Sequence, residues 1–209
     1  MWIVLTGGPG AGKSSFARRA VAERAGALVL VPEAATQVYR RLGRRWDELT
    51  LDGRREAQRE IFRLQREMEA AAPPREGGMH VLLDRGSVDG AAYWPDGPEA
   101  YWADRKTSLE AELARYNRVL ILETAAAAGV YDADGSNPTR YEDPATAIAT
   151  GLAVQRLWAG HSHAARIAAH PSAEAKYAAV LARLDAWIGN IRGRSLGVAN
   201  VPRTTDAKA

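Results

Sequence analysis

The 209-residue chain contains no cysteine, which excludes a disulfide framework, a thiolate metal site and a cysteine nucleophile. A cysteine-free chain suits a reducing compartment, and a cytoplasmic location is the expectation. Long apolar runs are also missing. The stretch from Trp2 to Leu5 is too short for a signal peptide and runs straight into glycines, and no other run approaches a membrane span. A soluble protein is expected. Lysine is scarce: Lys13, Lys106, Lys176 and Lys208 are the only four of 28 basic residues, so 24 are arginine. With a net charge of +3 and a pI near 9.3, that excess suits phosphate chemistry, because guanidinium groups fork onto phosphate oxygens. An Ala- and Arg-rich genomic bias gives the same signature. No run of five or six basic residues makes a nucleic-acid patch, no Asn-Lys-x-Asp guanine motif is visible, and no internal repeat appears.

What is present reads as alternating strands and helices. The length suits one α/β domain over residues 1–199, with a loose tail at 200–209. Apolar runs predict buried parallel strands at Trp2 to Thr6, Ala27 to Val31, Met79 to Leu83, Arg118 to Glu123 and Ala164 to Ala169. Helical spacing appears from Lys13 to about Ala25, Ala34 to Leu42, Gly53 to Ala72, Leu109 to Tyr116 and Asp143 to Trp158, with Ser172 capping a last helix to about Ile191. Residues 90–105 read as loop with short helical pieces. Such alternation predicts a three-layer fold of right-handed βαβ units whose ligands bind beyond the carboxyl ends of the strands.

Gly7-Gly-Pro-Gly-Ala-Gly-Lys13-Ser14 fits the Walker A pattern G-x-x-x-x-G-K-[ST] in full and lies between a predicted strand and helix. Its backbone amides would cradle the phosphates of ATP, with GTP as the other option, and glycines allow close approach. The expected nucleotide contacts are Gly8, Gly10, Ala11, Gly12, Lys13, Ser14 and Ser15. Lys13 would neutralise the outer phosphates and Ser14 would ligate Mg²⁺.

Other candidates fall at the ends of neighbouring strands. Asp84, closing the third strand, is placed to hold Mg²⁺ beside Ser14, or else to cap a helix. Arg85 would clamp a substrate group or pair with a nearby acid. Glu33, closing the second strand, would accept a proton from an attacking hydroxyl or complement a helix dipole. Arg140, within the lid candidate 124–145, is the candidate arginine finger. Tyr93, Trp94, Tyr101 and Trp102 line a pocket or pack the core. His80, His161, His163 and His170 lack carboxylate or cysteine partners at ligand spacing.

The phosphate loop, Val31-Pro-Glu33-Ala-Ala35, and Leu82-Leu-Asp84-Arg85-Gly-Ser-Val-Asp89 together resemble the AAA-domain family of small P-loop ATPases and kinases related to ribosylnicotinamide kinase. More distantly they resemble the deoxynucleoside and thymidylate kinases. The resemblance is firm over residues 1–125. It implies a five-stranded parallel sheet in the order 2-3-1-4-5, a general base at Glu33, an Asp84-Arg85 pair orienting substrate and metal, and a lid arginine at Arg140. No base-binding motif is matched after Glu123. The leading expectation is an ATP- and Mg²⁺-dependent phosphotransferase acting on a small, nucleoside-like hydroxyl acceptor. A nucleotide-dependent switch is the second reading, and a nucleic-acid end kinase the third.

Overall fold

The computed structural model describes residues 1–73, 79–131 and 142–189. Five strands, β1 (Trp2–Gly7), β2 (Leu28–Val31), β3 (His80–Asp84), β4 (Arg118–Leu122) and β5 (Ala164–Ile167), form one parallel sheet in the order β2-β3-β1-β4-β5. This is the expected order. Register pairs Leu5 with Asp84 and Gly7 with Leu122, so the ends of β1, β3 and β4 come level at one edge.

Alternation along each strand builds the two flanking layers. Val4, Val81, Leu83, Val119 and Ile121 face one way, onto a cluster that includes Trp94, Tyr101, Tyr116 and Trp158. Ile3, Leu5, Leu82, Leu120 and Leu122 face the other, onto Phe16, Ala17, Ala20, Tyr177, Val180 and Leu184. The second layer is α1 (Lys13–Glu23) with α7 (Ala173–Ile188); the first draws on α4 (Pro98–Arg105), α5 (Leu109–Leu113) and α6 (Pro144–Trp158). The remaining helices are α2 (Ala34–Leu42) and α3 (Leu51–Ala70), the second of which packs Phe62 and Met68 against the first cluster. Because every central strand is covered on both faces, the apolar runs are continuous and do not alternate with polar residues. Among the described residues no helix is long and apolar enough to cross a membrane.

Local chemistry sets the boundaries. Helix α3 starts at Leu51, two residues before the expected Gly53, because the Thr50 hydroxyl caps it by accepting from the Gly53 amide at 3.1 Å. Helix α6 has Pro144 in its first turn and the Asp143 carboxylate on the Thr146 amide at 2.8 Å. Ser172 caps α7 as expected, accepting from the Ala175 amide. The stretch 90–105 holds one regular helix, α4, preceded by a 3₁₀ segment over Ser87–Tyr93. The expected tail at 200–209 and residues 132–141 of the lid candidate lie outside the described residues.

The join between sheet and loop tolerates no side chain. Gly7 has φ 138°, and a Cβ there would sit 2.1 Å from the Leu122 carbonyl oxygen. Gly7→Ala is therefore expected to destabilise the protein by at least about 2 kcal/mol, since both the backbone and β4 must shift. Urea denaturation measures this, and an unchanged midpoint would contradict the close β1–β4 packing.

Candidate functional site

The loop after β1 turns sharply into α1. Gly10 and Gly12 have φ 69° and 88°, the left-handed region that favours glycine, and Gly12 is the residue immediately before α1. The loop is held from outside by three contacts. The Thr124 hydroxyl donates to the Pro9 carbonyl at 2.6 Å, and the Ala125 amide donates to the Gly10 carbonyl at 3.3 Å. From α7, the buried Lys176 ammonium donates to the Ala11 carbonyl at 2.9 Å and also to the Glu123 carbonyl.

Lys13 is buried and folds back to donate to the Gly8 carbonyl at 2.8 Å. Burial, helped by the nearby positive charge of Arg85, pulls its pKa down to about 7. The ammonium faces a loop built to receive negative charge. The next residue, Ser14, stands beside Asp84, which is buried at the end of β3. Its Oδ1 has no hydrogen-bond partner, and burial together with the Glu33 charge pushes its pKa up to about 6.

Arg85 follows in a left-handed conformation, φ 77°, rare for a residue with a Cβ. The Arg85 backbone amide donates to the Leu5 carbonyl at 3.0 Å, and its guanidinium is spread between two acids. Nε meets Glu33 Oε1 at 2.5 Å, and Nη1 meets Asp89 Oδ2 at 2.9 Å and the Gly7 carbonyl at 3.3 Å. Burial disfavours the Arg85 charge, but Tyr93, Glu33 and Asp89 more than offset it and hold its pKa well above the usual arginine value. For Glu33 burial pushes upward, yet Arg85 and Lys13 outweigh it and keep the carboxyl below the usual range. Glu33 also accepts from the Thr36 hydroxyl at 2.6 Å. It stands at the N-terminus of α2 without capping an amide through its side chain.

Asp89 carries the most contacts of any carboxylate here. Beside Arg85, it accepts from the Thr6 hydroxyl at 2.8 Å and from Trp158 Nε1 at 2.7 Å, so the ends of β1, β3 and α6 meet on one buried side chain.

The structure thus brings Lys13, Ser14, Glu33, Asp84 and Arg85 together, as the strand ends suggested. Gly10, Ala11, Gly12, Lys13, Ser14 and Ser15 line one cleft of about 390 Å³ with Glu33, Arg85 and Asp89. Gly8 lies just behind, against α6, where a Cβ would meet the Ala147 oxygen at 2.8 Å. Arg140 lies outside the described residues. All four aromatic candidates belong to or pack against the core cluster, and Tyr93 and Tyr101 also line the cleft. Sequence reasoning gave no role to Asp89, Thr6, Trp158 or Lys176.

A family model described as AAA domain matches residues 2–176. The chain belongs to the AAA-domain family. Among solved structures, this AAA-domain protein is similar to a NadR protein in complex with NAD and AMP-PNP, with 14% identity and a TM-score of 0.61 over 90% of this chain and 49% of that one. The chain therefore spans about half the length of that NadR. It is also similar to a deoxyadenosine kinase from M. mycoides with bound dATP, with 11% identity and a TM-score of 0.61 over 88% of this chain and all of that one. No curated protein matches in sequence. At these identities the structural likeness shows the fold, that of P-loop kinases.

The depressed Lys13 predicts a proton count. With a pKa of about 7 the ammonium is mostly neutral at pH 8, and an anion bound in the loop restores its charge. Sulfate, which does not itself titrate near neutrality, is expected to bind with uptake approaching one proton at pH 8 and far less at pH 5. Calorimetry in two buffers of different ionisation enthalpy counts these protons. No uptake at pH 8 would contradict the placement of Lys13.

Proposed function

We propose that this AAA-domain protein is a Mg²⁺- and ATP-dependent phosphotransferase acting on a small hydroxyl acceptor. One observation carries the reading: the phosphate loop and an ionised acid opposite it, Glu33, line the same cleft, which continues past Arg85 to Gln58, Phe62, Tyr93 and Tyr101. A nucleotide switch needs the loop but not an acceptor chamber beyond it. Among the described residues the basic side chains of the cleft do not form the long track that a nucleic-acid end would need.

The oxygens of Ser14 and Asp84 fit Mg²⁺, a hard cation that takes oxygen ligands and keeps several waters. The partnerless, buried Asp84 Oδ1 is the observation that tests the fit, since such an atom costs free energy unless something binds it. Mg²⁺ held there would neutralise charge on the phosphates. Lys13, released from the Gly8 carbonyl, then contributes a second positive charge to the outer phosphates, and the amides of Gly10 to Ser15 orient them.

Glu33, held ionised by Arg85, accepts a hydrogen bond from the acceptor hydroxyl. As that oxygen bonds to the γ-phosphorus and the bond to the leaving ADP oxygen breaks, the proton passes to the Glu33 carboxylate. Arg85 fixes the carboxylate through Nε and is itself fixed by Asp89, so the base does not swing into solvent. ATP is favoured by the absence of an Asn-Lys-x-Asp motif, and Arg140 remains the proposed lid arginine.

The test is a split between binding and turnover. Glu33→Gln keeps size and polarity but cannot accept the proton, so transfer from ATP is expected to fall by roughly 10²–10⁴-fold while nucleotide Kd changes by less than about threefold. Labelled γ-phosphate transfer across nucleosides, sugars and amino alcohols, beside calorimetric nucleotide binding, reads both. An unchanged kcat would end the role of Glu33. Lys13→Ala is expected to abolish nucleotide binding in the same assay, because the loop loses its buried countercharge.

A further inference from the structure

Most arginines of α3, and Arg41 of α2, are paired with acids. On the outward faces Arg41 meets Glu60, Arg55 meets Asp52 and Asp96, Arg59 meets Asp104, Arg63 meets Glu60 and Glu67, and Arg66 meets Glu112. Arg18 on α1 and Arg40 on α2 instead line the cleft, exposed, with no carboxylate partner among the described residues. Two of the cleft's three acids are engaged elsewhere. Glu33 and Asp89 are both engaged by Arg85. Five basic side chains line the cleft against three acidic ones, leaving its walls net positive.

Position separates these two arginines from the nucleotide's own countercharges. Glu33, Thr36 and Arg40 form one stripe of α2 facing the cleft, with spacings of three and four residues. Arg40 therefore lies about 10 Å along the helix axis from Glu33, at 1.5 Å per residue. Arg18 lies about 7 Å beyond Lys13 along α1 by the same rise, away from the phosphate loop. Two exposed guanidinium groups lining one cleft are suited to binding a phosphate monoester.

We infer that the acceptor carries a phosphate monoester, held at the cleft rim by Arg18 and Arg40 while its free hydroxyl lies at Glu33. This rests on the phosphotransferase reading above and narrows it to phosphorylated hydroxyl compounds, of the span of a pentose phosphate or a mononucleotide.

Calorimetry on protein saturated with Mg²⁺ and AMP-PNP, which fills the phosphate loop, tests it with matched probes. These are ribose against ribose 5-phosphate, cytidine against cytidine 3′-monophosphate, and inorganic phosphate alone. The phosphorylated member of each pair is expected to bind at least tenfold more tightly, with an affinity that falls as salt rises. In the double variant Arg18→Gln/Arg40→Gln the preference should shrink to within about twofold at an unchanged melting temperature. Neutral members binding as well as phosphorylated ones, no phosphorylated probe binding at all, or a preference that survives the double variant would each overturn the inference. Transfer from ATP to the same probes is scored separately. Selective binding without transfer supports the anion site and counts against the phosphotransferase reading; transfer to neutral members without selective binding does the reverse.

Discussion

The Arg85 guanidinium, largely withdrawn from water at the wall of the cleft, needs countercharge where it lies, because a charge taken out of water costs free energy unless it is paired. Here two carboxylates supply it from opposite sides, Glu33 at the end of β2 and Asp89 one turn beyond β3. That pairing orders much of the site. It requires β2 and β3 to be neighbours, which they are, and it holds the Arg85 backbone in a left-handed conformation that the residue would not adopt unaided. It also leaves Glu33 ionised and aimed into the cleft, and adds to the burial that keeps Lys13 readily deprotonated.

Behind Arg85 a second buried network prevents the turn from relaxing. Tyr116 receives the Ser87 amide at 2.8 Å and donates to Glu69 at 2.8 Å, while the Ser87 hydroxyl donates to Glu112 at 2.6 Å. Glu69 and Glu112 are almost wholly buried, and their oxygens are shared among Arg115, Gln65, Arg66 and Thr107. Each charge is matched, so the network is rigid and does not act as a liability. Gln65 closes the circuit by donating to the Arg85 carbonyl at 3.4 Å. On the other side of the loop, Lys176 ties α7 to Ala11, which explains how a helix remote in sequence takes part in shaping the phosphate site.

The strands were legible because β1, β3 and β4 are covered on both faces and therefore read as unbroken apolar runs. The phosphate loop was legible because its chemistry is local: glycines, a lysine and a serine within eight residues. Glu33, Asp84 and Arg85 followed from their position at strand ends. Asp89 did not, because its partners Thr6 and Trp158 lie 83 and 69 residues away and no local pattern joins them. Lys176 was hidden for the same reason, 165 residues from the carbonyl it binds. Helix α3 starts two residues before its apolar spacing begins, because the Thr50 cap is a local hydrogen bond that periodicity does not register.

The account turns on a cleft in which Arg85 stays pinned while Lys13 and Asp84 change partners. A crystal structure with Mg²⁺ and AMP-PNP tests this most directly. It should show Lys13 Nζ moved from the Gly8 carbonyl onto the outer phosphates, the metal bound by Ser14 with Asp84 facing it directly or through one water, and Arg85 still bridging Glu33 and Asp89. Phosphates bound away from the loop, or an Arg85 that leaves Asp89 for the nucleotide, would contradict it.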